Sequence, residues 1–238
     1  MATNSKAKIG NLLLQALPAK ERRRLWPRLE RVKLKVRDVI YEEDEKIEHA
    51  YFPESGVVSL VSEMESGAVV EIGTIGKEGM VGIPAFLGAT STPVKAFAQV
   101  PGQALRMRTA DLRNEALNGG ALHRMLHRYT QALFTQLSQA VACNRLHSIE
   151  QRCARWLLMT RDRVDEPRFN LTQEFIAQML GVRRATVNPI LAGFQKAGMI
   201  RYRQGMMEIV NARKLEKVSC ECYRIVRKEY RKLTKADG

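Results

Sequence analysis

The sequence predicts an α+β chain: an N-terminal antiparallel β-barrel, then a long helix, then a C-terminal helical domain closed by a β-hairpin. Three observations carry this. Up to about residue 108, short runs alternate apolar and polar residues between glycine- and proline-rich turns. From there to about residue 147 the apolar residues recur with heptad spacing. Between residues 172 and 210, two helical patterns broken by one glycine lead into two short alternating runs.

Residues Leu12–Trp26 have helical spacing, with Pro18 placed as a first-turn residue. At Val32 the period changes: Val32, Leu34 and Val36 alternate with Lys33, Lys35 and Arg37, the pattern of a half-buried strand. Similar runs follow at Val39–Tyr41, Ala50–Phe52, Val57–Val61, Val69–Ile72 and Ala96–Val100, punctuated by Ser55-Gly56, Ser66-Gly67 and Pro101-Gly102. Many short strands with such turns predict an antiparallel sandwich or a small barrel of the jelly-roll kind.

In the long helix Leu122, Leu126, Tyr129, Leu133, Gln136, Ala140 and Cys143 step by four and three residues, a seam over about three heptads. A second stripe of Phe134, Leu137 and Val141 is assigned to the chain's own barrel. The first stripe is then left for a partner helix, which predicts a parallel homodimer.

Residues Ser148–Thr160 form another amphipathic helix, and a polar loop leads from it to the most informative stretch. Thr172 is a credible N-cap with Glu174 in the first turn, Ile176, Met179 and Leu180 form an apolar stripe, and Ala177 is small where a second helix must cross. Gly181 ends the helix and permits a left-handed turn. A second helix from Arg183 to Ala197 buries Val187, Ile190, Leu191 and Phe194. That is a helix-turn-helix. Met199–Arg203 and Met207–Val210, joined at Gln204-Gly205, add the hairpin of a winged helix. The second helix would present Arg183, Arg184, Thr186 and Asn188 to the major groove, where Arg suits guanine and Asn adenine. Thr172, Lys196, Arg201 and Arg203 are placed for phosphates, which anchor without reading sequence.

Composition agrees. Of 238 residues, 45% are hydrophobic and 27% charged, as in globular proteins with a substantial core. Lys+Arg number 39 against 25 Asp+Glu, a net charge of +14. Residues 148–238 hold 19 of the basic side chains against 10 acidic ones, so the surplus lies at the end predicted to meet a polyanion. The four cysteines, Cys143, Cys153, Cys220 and Cys222, show no framework spacing, which points to a reducing compartment. The longest uncharged stretches, Gly79–Val94 and Tyr129–Asn144, carry prolines or glutamines and are shorter than the ~20 residues of a bilayer span. A soluble, cytoplasmic protein with no membrane partner is expected.

Taken together, Tyr51-Phe52-x-x-Ser55-Gly56-Val57-Val58, Gly76-Lys77-Glu78-Gly79-Met80-Val81-Gly82 and Leu180-Gly181-Val182-x-Arg184-x-Thr186-Val187 resemble the CRP/FNR family of bacterial transcription regulators over roughly residues 10–212. The resemblance implies a cyclic-nucleotide-binding-like sensor domain over 1–108, a dimerisation helix over 109–147 and a winged helix-turn-helix over 148–212. A basic helical extension occupies 213–238, with Leu215, Val218, Cys222, Ile225 and Tyr230 as its buried face. It further implies double-stranded DNA as partner, a near-palindromic operator and RNA polymerase as a second partner. The effector pocket would fall at Gly82, Ile83, Val94 and Lys95. Members that bind cyclic AMP carry a Gly-Glu pair and an Arg-Ser/Thr pair there, so cyclic AMP dependence is not expected and the effector stays open. Ala185 and Pro189 replace the family's usual Glu and second Arg, so a different operator is expected. The cysteines that hold an iron–sulfur cluster in oxygen-sensing members are N-terminal, and this sequence has none before Cys143.

Other patterns are set aside. His123 and His127 have metal-ligand spacing, but Arg124 stands where a zinc hydrolase has Glu, and surface histidines are the simpler reading. Cys220 and Cys222, two apart on a presumed helix, point to different faces and are given an inert role, with a regulatory thiol as the alternative. Gly73-x-x-Gly76-Lys77 lacks the spacing of a phosphate loop. No catalytic residues, metal or cofactor are expected. The competing functional reading is a small-molecule-binding signalling module whose C-terminal domain contacts a protein partner; the basic surplus favours DNA.

Overall fold

The computed structural model describes residues 9–117 and 119–233. The helical spacing over Leu12–Trp26 resolves into two short helices, α1 (Leu12–Ala16) and α2 (Ala19–Leu25), the second being the basic helix expected at Pro18. Pro18 is the reason: it takes an extended conformation and sits at the N-cap of α2 rather than inside its first turn. Strands β1 (Glu30–Leu34), β2 (Val39–Tyr41), β3 (His49–Pro53), β4 (Val57–Glu63) and β5 (Val69–Ile75) follow, then the four-residue α3 (Ile83–Phe86), β6 (Lys95–Val100) and β7 (Gly102–Arg108). β1 ends before Val36, which is exposed. β7 lies outside the expected runs, and Ala104, Leu105 and Met107 are buried in it.

All pairings are antiparallel, in the orders β1-β7-β3 and β2-β6-β4-β5. The strands therefore form two open sheets rather than the closed barrel expected. They face one another across Leu34 and Ala104 of the first sheet and Tyr41, Val58, Leu60, Ile75, Ala96 and Ala98 of the second. Sandwiches and barrels share the same alternation along each strand, so periodicity does not separate them.

Next come α4 (Thr109–Leu117), the 26-residue α5 (Ala121–Leu146), α6 (Ile149–Arg161), β8 (Arg168–Asn170), α7 (Gln173–Leu180), α8 (Arg184–Lys196), β9 (Ile200–Arg203), β10 (Met206–Ile209), α9 (Ala212–Val218) and α10 (Cys222–Leu233). Between α5 and α6 lie only His147 and Ser148, both extended. Ser148 restarts the helix with a reciprocal capping box to Gln151. None of the helices among the described residues is long and apolar enough to cross a membrane.

The heptad seam of α5 is corrected by its burial. Leu122, Leu126, Tyr129, Leu133, Gln136 and Cys143 are buried and Ala140 half-buried within the single chain. Tyr129 Oη donates to Met80 O (2.9 Å) and Gln136 Nε2 to Thr74 O (3.0 Å), so this stripe lies on the protein's own β-sandwich. Phe134 (64% exposed) and Val141 (73%) face outward instead, with Leu137 at the boundary against Gly73. Both stripes have helical spacing. The richer one serves the core because covering a whole sandwich face requires more apolar area than a helix seam.

The extension also differs from its expected face. Leu215, Cys222 and Tyr230 are buried and Val218 half-buried, but Ile225 is exposed, while Tyr223, Val226 and Leu233 are buried. The break between α9 and α10 at Ser219–Glu221 shifts the helical phase. α10 runs against α5, with the Tyr129 and Tyr230 rings 6.3 Å apart and Arg128 Nη2 donating to Lys232 O (2.6 Å).

Candidate nucleic-acid interface

The helix-turn-helix is built as its residues require. Thr172 caps α7, its Oγ1 accepting from Phe175 N (3.1 Å). Gly181 takes φ 66°, ψ 39°, a conformation that costs other residues about 1 kcal/mol or more, and the turn closes with Val182 N donating to Ala177 O (2.9 Å). Ala177, Ile176, Met179 and Leu180 of α7 are buried, as are Val187, Leu191 and Phe194 of α8, while Ile190 is half-buried. The opposite face of α8 is therefore left to solvent.

On that face lie the side chains expected to meet bases. Arg183 is the N-cap of α8 rather than its first residue, and Arg183, Arg184 and Asn188 are exposed, with Thr186 half-exposed. Neither arginine has an ion pair among the described residues, so both guanidiniums are available to an external acceptor. Pro189 sits inside α8 on its exposed side and removes one backbone donor in mid-helix, while the helix runs on to Lys196.

The wing joins β9 to β10 through a two-residue turn, Gln204-Gly205, with φ 51° and 80°. β8, just past the polar loop expected before Thr172, adds a third strand beside β10. Tyr202 N donates to Gln195 Oε1 (2.9 Å) and Leu171 N to Gly205 O (2.7 Å), tying the wing to α8 and to the segment that leads into α7. Burial raises the Tyr202 phenol above its usual pKa, and the Gln173 backbone and the nearby Arg184 charge pull the other way.

The phosphate candidates divide into two kinds. Arg201 Nη1 lies 2.9 Å from Glu208 Oε2, which Arg168 Nε also reaches at 3.1 Å. Slight desolvation would lift the Glu208 carboxyl, but the Arg168 and Arg201 charges hold it below its usual value. Arg203 and Lys196 are exposed and have no ion pair among the described residues. Thr172 is exposed too, with its hydroxyl already engaged as the cap.

This domain rests on the sandwich. Phe175 packs edge-on to Phe97 of β6 (6.2 Å between centroids) and 6.4 Å from Trp156, and a side chain at Gly181 would touch Val70 of β5. At the expected effector positions, Gly82 has φ 96° and Ile83 opens α3, buried in the main core. Val94 packs on the apolar interior between the sheets, and the Lys95 ammonium is held by Glu42 at 2.8 Å. His123 and His127 place their Nε2 atoms 3.0 Å apart beside Phe86. Sequence reasoning missed one grouping. Cys143 and His147 are four residues apart at the end of α5, and Cys220 and Cys222 fold onto them because Cys220 lies in the break before α10 instead of on a helix. The Cys-x-x-x-His spacing at a helix end was the available signal.

A β-sandwich followed by a long helix and a winged helix-turn-helix with an exposed cationic face defines a sensor-type domain coupled to a DNA-binding domain. Two family models agree: the cyclic nucleotide-binding domain matches residues 31–118, and the Crp-like helix-turn-helix domain matches residues 151–218. Between them they cover well over half of the chain, which belongs to the CRP/FNR family of transcription regulators. Among solved structures, FixK2 from Bradyrhizobium japonicum is similar at 17% identity, with 81% of this chain and 98% of that chain covered and a TM-score of 0.69. A putative regulator of the crp/fnr family from Eubacterium rectale is similar at 15% identity, 87% and 96% coverage and a TM-score of 0.67. The c-di-GMP responsive global regulator CLP from Xanthomonas campestris is similar at 18% identity, 81% and 99% coverage and a TM-score of 0.57. At these identities the likeness establishes the fold. No curated protein matches the sequence.

Proposed function

We propose that this regulator acts as a homodimer on a near-palindromic operator, without requiring cyclic AMP, and that α8 reads the bases. The observation that carries the reading is the outward face of α8, where Arg183, Arg184 and Asn188 stand exposed on a helix whose other face is locked by Val187, Leu191 and Phe194. Arg184 and Asn188 supply discrimination, with Arg183 and Thr186 beside them, and Thr172, Lys196, Arg201 and Arg203 supply phosphate contacts. Arg184→Ala is expected to weaken operator binding by about 1–3 kcal/mol and to relax preference at one half-site position. Arg203→Ala is expected to weaken all duplexes alike and to lower the salt slope by about one. Selection of bound duplexes from a randomised pool, with and without cyclic AMP, tests the reading. An enriched palindrome in both arms supports it; enrichment only with the nucleotide, or equal loss on operator and random DNA for Arg184→Ala, counts against it.

Cyclic AMP independence is supported by the chemistry at its expected site. Ile83 offers no carboxylate to a ribose, and Lys95 offers a point charge already paired with Glu42 rather than a bidentate fork.

Dimerisation is assigned to the outward stripe of α5 at Phe134, Ser138 and Val141, which repeats at heptad spacing and exposes two large apolar side chains. Phe134→Asp is expected to weaken self-association by about 2 kcal/mol or more while leaving the melting temperature of the monomer fold unchanged. Light scattering across a concentration series measures this, and an undiminished dimer would move the interface elsewhere.

A further inference from the structure

DNA reading leaves four side chains at the far end of α5 without a role. Cys143 lies one turn before the end of that helix and His147 is its C-cap, so the two project from one face. The chain between α9 and α10 folds back onto this face and brings Cys220 and Cys222 with it. The three cysteines are buried and His147 is half-buried. One donor atom from each residue, three sulfurs and a ring nitrogen, lies within 4.8 Å of all the others. Cys143 Sγ is 3.4 Å from Cys220 Sγ, and Cys222 Sγ is 3.7 Å from His147 Nδ1. A tetrahedral zinc ion, with bonds of about 2.3 Å to sulfur and about 2.0 Å to nitrogen, needs its donors roughly 3.5–3.8 Å apart.

We propose that Cys143, His147, Cys220 and Cys222 form a Cys3His site for a single zinc ion, which fastens the C-terminal extension to the joint between α5 and α6.

The surroundings fit such an ion in two independent ways. His147 turns Nδ1 toward the sulfurs and places Nε2 3.2 Å from Glu221 Oε2. A metal-bound imidazole usually donates its other N–H to a carboxylate, which fixes both tautomer and orientation. Charge is the second. A divalent ion on three thiolates and a neutral imidazole carries one net negative charge. In a buried site that charge needs a counter-ion. The Arg155 guanidinium of α6 is buried, its Nε has no hydrogen-bond partner, and it has no ion pair among the described residues. Its charge bears on all three sulfurs. Binding releases the three thiol protons to solvent, so charge and protons balance without an oxidant. An iron–sulfur cluster spreads its ligands over several irons and holds its thiolates farther apart than one ion does.

The test uses the full chain purified under reducing conditions without chelator. Elemental analysis is expected to find about one zinc per chain, and adding cobalt(II) chloride to the metal-stripped protein is expected to give the visible spectrum of tetrahedral thiolate coordination. Cys220→Ser should lose both signals, whereas Cys153→Ser, at a buried cysteine outside the set, should keep both. Should Cys220→Ser fail to fold, Glu221→Gln decides instead: it leaves all four ligands in place and is expected to weaken zinc binding about 10–100-fold. No bound zinc together with no tetrahedral cobalt spectrum would overturn the proposal. So would iron with acid-labile sulfide, a Cys143–Cys220 disulfide in the reduced preparation, or unchanged zinc affinity in Glu221→Gln.

Discussion

Arg163→Met is expected to destabilise the protein by about 3–5 kcal/mol, the largest loss we anticipate from a single substitution. Arg163 comes just after Asp162, the C-cap of α6, and its side chain is 5% exposed. Its Nε donates to Glu78 Oε1 at 2.6 Å, one terminal nitrogen donates to Thr74 Oγ1, and the other donates to Gln136 Oε1 at 3.1 Å. One guanidinium therefore joins the sandwich, α5 and the lead into the DNA-binding domain. Gly76 leaves room for it, since a Cβ there would come within 2.5 Å of Arg163 Cγ. Methionine has similar bulk but leaves Glu78 desolvated without its cation, which costs far more than the pair itself contributes. Urea unfolding followed by tryptophan fluorescence measures the loss. Adding Glu78→Gln to Arg163→Met should recover a substantial part of it. A loss below about 1 kcal/mol, or no recovery in the double variant, would contradict the buried-pair explanation.

The second large effect depends on pH. Glu71 of β5 accepts from Trp156 Nε1 of α6 at 2.7 Å and contacts Ser59 Oγ at 2.8 Å. Ser59 Oγ is also 2.7 Å from Gln99 Oε1. A hydroxyl carries one proton, so an ionised Glu71 leaves two acceptors competing for it, whereas a protonated Glu71 donates to Ser59 and satisfies both. Burial acts in the same direction and pushes the Glu71 carboxyl from an ordinary 4.5 up to about 7, the Ser59 and Trp156 hydrogen bonds and the Arg155 and Arg163 charges offsetting only part of it. The folded protein thus binds this proton more tightly than the unfolded chain. Stability is greatest below the ordinary value, declines as pH rises through the interval and levels off above the raised one. Glu71→Gln keeps an acceptor for Trp156, supplies a donor for Ser59 and removes the charge. Its advantage over the parent should be near zero at about pH 4.5 and grow to ~3 kcal/mol at about pH 8. Melting curves of both proteins across that range decide it, and a difference independent of pH would exclude the titration of Glu71 as the cause.

Much of this fold was legible in the sequence because its signals are local. A glycine in the left-handed region, a small residue at a helix crossing and a threonine cap are each chosen by a few neighbours, so the roles of Thr172, Ala177 and Gly181 are legible in the sequence alone. Exposure of Arg184 and Asn188 followed from the phase of Val187, Leu191 and Phe194 on the same helix. What was not legible depends on contacts distant along the chain. Both apolar stripes of α5 have helical spacing, and only the position of the sandwich tells that Tyr129 faces inward and Phe134 outward. Sheet closure likewise depends on which strand edges meet. The Cys143, His147, Cys220 and Cys222 cluster was missed because a single helix was assumed through Cys220, and a three-residue break in it turns separate faces into one.

The course of α10 along α5 has a consequence for manufacture of the chain. Arg128 and the Lys232 carbonyl that it binds are 104 residues apart. A ribosome adding roughly 5–20 residues per second needs about 5–20 s to cover that distance. During that interval all the strands of the sandwich have been made and the helix-turn-helix is being added, while the side of α5 beside Tyr129 still awaits Tyr230. An apolar helix face left open for seconds invites wrong partners, including the same face on a neighbouring nascent chain. Synthesis rate and chaperone supply thus bear on the yield of regulator independently of how stable the finished molecule is.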